Sequence, residues 1–409
     1  MTVTSIDGAI DLTSAHVLEN PYPVYRQLRE HAPVSWHSGF GAWLLTRYED
    51  VVGMLSHPAF SAARLPVLLQ ALPKSAAAAA GPFLETTAGS LFFLDPPEHA
   101  SIARAMHELL TARAIARMHE EIRGIVEHVT EPVLRRRSFD AVEDIGSHIG
   151  TTVVASMLSL RDDEARKILE WADGPARLFG GDAPSIEDAM RASSSSLEML
   201  GFVGEVVADA RRARTPVVAR LLEFEEEGAL TRREVCLILI DLLVAGQLPL
   251  RNLIGNTLHA LLHHPHAVEL LLRDRSLIGS AVDEVLRYDA PNQLTNRVTV
   301  EDVQVRGTTI PRGSLVYAML GAANRDPAAF PDPDRFDVAR APNRHLGFGA
   351  GAHRCPGSSL ARTETSMLIE LMLPHLTAMR VASATRRPSL RVRGFSSLCI
   401  EYDDRDPRP

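Results

Sequence analysis

Apolar residues recur at helical spacing through most of segment 97–265, and this long pattern limits the fold more than any other feature of the chain. Within it, residues 231–264 form a very long helical pattern that Pro249 interrupts. After Ala290 the apolar period changes to two, which predicts strands. We therefore expect a mostly α-helical fold of the α+β class, with helical parts at about 97–290 and 357–375 and β-rich parts at about 34–46, 294–317 and 378–402.

The chain has 409 residues, and length alone would allow two or three domains. However, no linker-like Ser/Gly tract exceeds a few residues and no sequence period repeats. The small patches Ala76–Ala80 and Ser193–Ser196 lie inside longer segments and mark no boundary. We predict one domain over residues 1–409.

The formal net charge of −8 and the pI of about 6.1 give no indication of a nucleic-acid or anionic-membrane partner. No run approaches the ~18 apolar residues of a membrane helix, and the best stretch, Val235–Gly246, contains Asp241. The first residues show neither the basic cluster nor the apolar core of a signal peptide. We expect a soluble, cytoplasmic protein whose substrate and electrons arrive from solution.

Three cysteines exclude a disulfide scaffold and an all-cysteine zinc site, so each thiol needs its own explanation. Cys236 and Cys399 lie on apolar faces and are interpreted as small core residues. Cys355 is different, because it lies in the decapeptide Phe348–Gly357, which holds three glycines and precedes a helical run. Glycines suit positive-φ backbone or close approach to a flat object, and a helix N-terminus favours a thiolate. A thiolate here is a good soft ligand for iron; the alternative is a buried free cysteine beside a turn.

At every defining position this decapeptide resembles the haem-binding loop of the cytochrome P450 family, and the resemblance covers essentially the whole chain. It implies the single P450 fold, with haem b (iron protoporphyrin IX) between the helix that contains Ala245–Asn252 and the helix that follows Cys355. It also implies that Cys355 is the axial iron ligand. Further haem contacts are expected from the same loop and helix: Phe348, Gly349, His353, Gly357 and Ala361.

Two other motifs carry the resemblance. Glu284 and Arg287 match the family's Glu-x-x-Arg, and Arg335 in the segment Pro333–Phe336 matches its second arginine. An i, i+3 Glu–Arg pair lies on one helix face, and a second arginine can complete a buried network with the same carboxylate. The alternative for Glu284 and Arg287 alone is a solvated surface pair.

The resemblance also implies haem propionate contacts from His99, Arg297 and His353. The family commonly has an arginine four residues after the histidine, whereas this chain has Ala103 there and Arg104 one step later. Arg104 is about 100° further around the helix, which weakens its predicted cofactor contact. For His99 the alternative is a capping or surface histidine.

The clearest departure from the family lies in the segment Ala245-Gly246-Gln247-Leu248-Pro249, our predicted catalytic residues. Family members carry an acid–alcohol pair after the Ala-Gly, which supplies the protons needed to split dioxygen. Leu248 and Pro249 occupy those positions, and neither can relay a proton. Pro249 also lacks the N–H that would bond the Ala245 carbonyl, at roughly 3 kcal/mol in mid-helix. The freed carbonyl and Gln247 could hold a water; alternatively, Pro249 only bends the helix.

Four functions remain open. We favour a monooxygenase acting in secondary-metabolite biosynthesis, in which the substrate or an ordered water completes proton delivery. The second is a peroxide-driven enzyme, since peroxide brings its own protons and electrons. The third is oxidative coupling or rearrangement. The fourth, a non-catalytic partner or activator protein, is disfavoured by the complete cysteine loop.

By resemblance, the substrate pocket mixes apolar and polar side chains, which indicates a medium-sized, partly polar organic molecule. Its predicted apolar residues are Phe92, Phe93, Leu294 and Phe395. A ferredoxin and its reductase are the expected electron donors, drawing on NAD(P)H, because the chain has no room for a flavin or nicotinamide domain. An acidic ferredoxin would bind a basic face formed by Arg104, Arg113, Arg117 and Arg354. We expect a monomer.

Overall fold

The computed structural model describes residues 11–70, 72–161, 163–168, 170–171, 185–209 and 215–403. Its helices are α1 (Ala15–Glu19), α2 (Tyr22–His31), α3 (Tyr48–Ser56), α4 (Leu65–Gln70), α5 (Lys74–Ala79), α6 (Gly81–Thr87), α7 (Glu98–Leu109), α8 (Ala112–Arg117), α9 (His119–Leu134), α10 (Ser147–Met157), α11 (Ile186–Ala208), α12 (Pro216–Glu226), α13 (Arg232–Ala245), α14 (Leu248–His263), α15 (Pro265–Arg273), α16 (Ile278–Tyr288), α17 (Leu320–Ala323) and α18 (Ser358–Leu376). Its strands are β1 (Val34–His37), β2 (Ala42–Leu45), β3 (Phe60–Ser61), β4 (Ser138–Asp140), β5 (Thr295–Thr299), β6 (Val303–Val305), β7 (Thr308–Ile310), β8 (Leu315–Ala318), β9 (Met379–Arg386) and β10 (Phe395–Tyr402). The prediction of helical bulk with a smaller β-rich part is confirmed.

The chain divides into two compact units. The first comprises the described residues within 1–60, 117–150 and 248–409, and the second those within 61–116 and 151–247. Because each unit is built from separated stretches of chain, no single cut in the sequence would release either one. That the whole chain is one domain stays a prediction.

The first unit contains a mixed sheet in which β1, β2, β8 and β5 lie side by side in that order. Strand β2 pairs antiparallel with β1 and parallel with β8, and β5 pairs antiparallel with β8. Successive side chains of a strand face opposite sides of the sheet. Accordingly, Trp43 and Leu45 belong to one buried cluster with Val316, whereas Leu44 belongs to another with Leu28. Both faces of the sheet are therefore covered.

Two smaller β structures complete the first unit. Strand β10 pairs antiparallel with β4 on one side and with β9 on the other. Strands β6 and β7 form a hairpin whose turn places Arg306 and Gly307 at φ values of 49° and 78°. Glycine adopts positive φ easily and arginine rarely does, so Gly307 suits its position whereas the backbone of Arg306 is strained.

The second unit is helical. Helix α11 starts at a capping box, in which the Ser185 hydroxyl accepts from the Asp188 N–H and the Asp188 carboxylate accepts from the Ser185 N–H. Small side chains let it approach α5 and α6 closely, since Ala189 and Ala192 form a buried cluster with Ala76, Ala80 and Phe83. The alanine-rich patch noted in the sequence is therefore a packing surface.

The very long helical pattern of residues 231–264 is two helices in the structure. Helix α13 ends at Ala245 and α14 begins at Leu248, which makes Pro249 the second residue of a new helix. The expected mid-helix penalty for Pro249 is therefore wrong, because first-turn N–H groups have no intrahelical acceptor to lose. By length and composition alone, the described stretch Arg232–His263 could cross a membrane, but 61% of its most apolar window is buried inside the protein, as in a core helix of a soluble protein.

Candidate functional site

The loop that carries Cys355 is fixed by its backbone. The Cys355 N–H donates to the Phe348 carbonyl at 2.9 Å, which closes the decapeptide on itself. Gly349 and Gly351 have φ values of 69° and 71°, in the left-handed region that favours glycine. A Cβ on Gly351 would also lie 2.2 Å from the Leu55 carbonyl oxygen, which leaves no room for any other residue.

Burial has the largest electrostatic effect on Cys355 and raises the pKa of its thiol above the ordinary value. The Gly357 N–H and the guanidinium groups of Arg354 and Arg362 oppose this rise without cancelling it. Arg362 is itself oriented by Asp283, whose Oδ1 accepts from Nε at 2.6 Å, and lies 4.8 Å from the Phe348 ring centroid. The predicted thiolate therefore requires a metal, because coordination deprotonates a thiol outright.

The donor set fits a haem. In the part of the chain that the structure describes, no group of three or more His, Cys, Asp or Glu side chains could hold a metal ion. A metal at Cys355 would thus take one soft ligand from the protein and the others from a prosthetic ring. Of the other thiols, Cys236 is buried and Cys399 is partly buried with its sulfur 3.7 Å from the Ser397 hydroxyl.

Three further predicted cofactor residues of the first unit lie on three different elements. Arg297 is a buried residue of β5 whose guanidinium donates to the Asn296 carbonyl at 2.8 Å. His353 ends the short 3₁₀ turn Gly351–His353, and Ala361 lies in the first turns of α18. Arg297 and His353 have the charge or hydrogen-bonding groups that a propionate needs; their contacts with one stay a prediction.

Glu284 lies at the centre of a buried network on α16. Its carboxylate accepts two hydrogen bonds of 2.8 Å from Arg287, in a bidentate pair whose side chains are both fully buried. The Asp337 N–H and the Asn343 amide add donors at 2.8 and 3.1 Å. The alternative of a solvated surface pair is excluded by this burial.

The second arginine of the network is Arg340, which corrects our prediction of Arg335. The Arg340 Nε lies 3.2 Å from Glu284 Oε2, whereas the Arg335 side chain is 67% exposed and points to Asp337 at 3.7 Å. Arg335 contributes only its carbonyl, which accepts from Arg287 at 3.0 Å. The two arginines are five residues apart in one irregular segment, and no periodicity there indicates which side chain turns inward.

In the second unit, His99 and Arg104 differ sharply in environment. His99 lies in the first turn of α7 and is buried, so the alternative of a surface histidine is excluded. Arg104 is exposed, with its guanidinium 5.2 Å from the Phe224 ring centroid and 3.9 Å from Glu108. These contacts argue against the predicted cofactor contact of Arg104 and agree with its offset around the helix.

The predicted catalytic segment contains one orphaned polar atom. Gln247 is buried, and its Oε1 has no hydrogen-bond partner among the described residues. Gly246 leaves no space for a side chain, because a Cβ there would lie 2.9 Å from the Leu242 carbonyl oxygen. Leu248 and Pro249 are partly buried and offer no polar side-chain atom.

Two of the four predicted substrate-pocket residues are in the core. Leu294 belongs to a buried cluster with Met319, and Phe395 packs with its ring 4.8 Å from the His259 ring and 3.8 Å from the Arg386 guanidinium. These packed surroundings argue against the prediction for both residues. Phe92 and Phe93 lie on a short 3₁₀ turn, and Phe92 is 46% exposed.

Sequence reasoning missed Asp241. Its carboxylate is buried in α13 and accepts from the Ser90 hydroxyl at 2.7 Å and the Leu91 N–H at 3.1 Å. Burial raises its pKa to about 7, against the opposing effect of these two hydrogen bonds. The available signal was a lone acid inside the apolar stretch Val235–Gly246.

Comparison with known proteins shows which family the chain resembles. The cytochrome P450 family model matches residues 186–380. The biotin biosynthesis cytochrome P450 of Bacillus subtilis is 30% identical over 97% of this chain and 99% of its own length. Pulcherriminic acid synthase from the same organism is 28% identical over 94% and 95% of the respective chains.

Solved structures give the same answer. The crystal structure of P450BioI in complex with hexadec-9Z-enoic acid ligated acyl carrier protein has a TM-score of 0.87 and 29% identity, over 96% of this chain and all of that one. Epothilone D-bound P450epoK also has a TM-score of 0.87, at 26% identity over 96% and 99% of the two chains. The chain therefore belongs to the cytochrome P450 family, whose members are monooxygenases that bind haem b.

Proposed function

We propose that this P450 inserts oxygen into a medium-sized, partly polar metabolite in a secondary-metabolite pathway, with Cys355 as the axial iron ligand. The observation that carries the proposal is the closed glycine loop, which presents one soft thiol with no companion metal ligands among the described residues. Bound haem b supplies the dioxygen activation and electron transfer of the family. The names of relatives, among them a pulcherriminic acid synthase and a polyketide biosynthesis P450, support the metabolic setting.

Proton delivery is assigned to an ordered water at Gln247. The orphaned Oε1 of Gln247 can accept a hydrogen bond from that water. Ala245 is the last residue of α13, and Pro249 has no N–H to donate to its carbonyl, so that oxygen can serve as a second acceptor. A water that donates one hydrogen to either acceptor keeps its second hydrogen for the substrate side, and its oxygen lone pair can receive a replacement proton, so it can substitute for the absent acid–alcohol pair.

A peroxide-driven enzyme is the second candidate, and one observation favours it. Neither Leu248 nor Pro249 can donate a proton, so an oxidant that carries its own protons avoids the step that this chain is least equipped for. The two candidates differ in their oxidant and share the same Cys355 ligand.

Electrons are proposed to come from a ferredoxin and its reductase. Arg113, Arg117 and Arg354 are exposed, and an acidic iron–sulfur protein would be attracted to them. The small-molecule substrate is free or linked to a carrier protein, since P450BioI was solved with an acyl carrier protein. We also propose that the protein is cytoplasmic and monomeric. Light scattering of the purified protein tests whether it is a monomer.

The decisive experiment follows the ferrous–CO spectrum and then the oxygen atom. The purified protein should show the red-shifted band of a thiolate-ligated haem, and its absence would refute Cys355 ligation. Turnover in ¹⁸O-labelled dioxygen with ferredoxin, reductase and NAD(P)H should label the product. Activity with peroxide alone would favour the second candidate, and an unlabelled oxidised product would indicate coupling or rearrangement. Titration of the ferric haem with free acids and with their carrier thioesters separates the two substrate forms.

A further inference from the structure

One segment of the second unit is held largely by polar anchors. In the turn Leu91–Phe93, Leu91 is buried whereas Phe92 is 46% exposed, so apolar burial fixes only the start of the turn. At the C-terminal end of this turn, the Arg64 guanidinium donates to the Phe92 carbonyl and lies 4.5 Å from the Phe93 ring centroid. Asp95 then ends the segment, where its Oδ1 accepts from the Ala62 N–H at 2.8 Å. We call residues 89–95 the Phe92 loop.

The N-terminal part of the Phe92 loop is held by helix α13. Both carboxylate oxygens of Asp241 are engaged, one by the Ser90 hydroxyl and the other by the Leu91 N–H. One helical turn earlier, Leu237 lies against Gly89 so closely that a Cβ there would come within 2.7 Å of Leu237 Cδ1. Leu237 and Asp241, which lie one turn apart on α13, thus contact three consecutive loop residues, Gly89 to Leu91.

A buried carboxyl group at position 241 lowers the stability of the folded protein, so its presence there calls for a role. Asp241 is buried, and no Lys, Arg or His among the described residues forms an ion pair with it. An apolar residue would pack there without the desolvation penalty of a carboxyl group. The acid can, however, serve both loop groups in either protonation state. The charged form accepts from both, and the neutral form accepts from the Leu91 N–H while it donates to Ser90.

We propose that Asp241 is a positioning residue that holds the Phe92 loop in the conformation that presents Phe92 and Phe93 to the substrate. The inference rests on the proposed function, because it gives these two phenylalanines their predicted pocket role. Asp241 also lies one turn before Ala245, which is the last residue of α13 and the first of the predicted catalytic segment. Loss of the anchor frees the loop and so affects substrate affinity and the site of oxidation.

The test compares four variants of the haem-loaded protein. Asp241→Ala and Ser90→Ala remove the anchor from its two ends. Asp241→Asn keeps it, because an amide oxygen accepts from Leu91 and an amide nitrogen donates to Ser90. Cys236→Ala is the matched control, because it is a small change at a buried position of the same helix.

Three quantities are measured for each variant: the ferrous–CO spectrum, the substrate dissociation constant from the ferric spectral titration, and the product distribution. We expect Asp241→Ala and Ser90→Ala to keep the thiolate band but to bind substrate about ten-fold or more weakly, with a broader set of products. Asp241→Asn and Cys236→Ala should stay within about three-fold of the wild type.

Each outcome decides between clear alternatives. Unchanged affinity and products in Asp241→Ala would overturn the proposal, and so would an Asp241→Asn variant as impaired as Asp241→Ala. If Asp241→Ala loses the thiolate band, Ser90→Ala decides, because it removes only the two hydrogen bonds of the Ser90 hydroxyl, to Asp241 and from the Phe92 N–H, and leaves the buried acid paired with Leu91. If the wild type itself lacks that band, the proposed function fails and not the loop anchor.

Discussion

The corrected Glu284 network makes a sharp prediction, because the chain offers a matched pair of substitutions. Arg340→Ala removes a guanidinium whose Nε lies 3.2 Å from a fully buried carboxylate. Arg335→Ala removes the same group five residues earlier, where the side chain is 67% exposed. The two changes delete equal numbers of atoms from one segment, so their difference reports the buried contacts alone.

The size of the effect follows from what each change leaves behind. Breaking a buried ion pair costs about 3–5 kcal/mol when it strands the partner charge. Glu284 would keep its bidentate pair with Arg287, so the loss should lie below that range. Arg340 also donates to the carbonyls of Pro331 and Asp332, at 2.7 and 3.2 Å. We expect Arg340→Ala to lower the free energy of unfolding by about 2–3 kcal/mol, and Arg335→Ala by less than about 0.5 kcal/mol.

Urea unfolding of the haem-loaded variants, followed by far-UV circular dichroism, measures this difference. With a slope near 3 kcal/mol per molar urea, Arg340→Ala should move the midpoint down by about 0.7–1 M and Arg335→Ala by less than 0.2 M. Equal shifts in both variants would refute the reasoning that assigns the second arginine to position 340. A larger shift in Arg335→Ala would restore the assignment based on the sequence motif.

Three further predictions can be checked on the same protein. Cys355→Ala should abolish the thiolate band of the ferrous–CO spectrum, while Cys236→Ser retains it; a retained band in the first variant would exclude Cys355 as the ligand. Leu248→Glu combined with Pro249→Thr should speed dioxygen turnover of a generic substrate, measured as product per NAD(P)H consumed, and no change would remove the argument that these positions limit proton delivery. Burial, helped by nearby Arg386, lowers the pKa of His259 to about 3, so protonation favours the unfolded chain. Stability should therefore fall as the pH drops from about 6.5 towards 3, and His259→Gln should flatten that dependence in urea midpoints measured across the range.

Local sequence patterns predicted the architecture well, because period and glycine content are properties of neighbouring residues. The change from helical to alternating period after Ala290 located the strands β5 to β8, and the glycines of the Cys355 loop lie at the positive φ angles that their side-chain-free backbone allows. Pro249 shows the limit of that reasoning. Its effect depends on whether α13 continues or stops before it, and packing decides this.

The sequence by itself determined the residue types on which the chemistry depends: one cysteine in a closed glycine loop, a Glu-x-x-Arg pair, and no proton-relaying side chain at Leu248 or Pro249. These features are local, so their spacing along the chain carries the information. Tertiary structure alone decided that Arg340 and not Arg335 contacts Glu284, and that Asp241 holds a loop 150 residues earlier in the chain. Such choices depend on which side chains irregular segments bury when they fold against distant helices, and no local period encodes that direction.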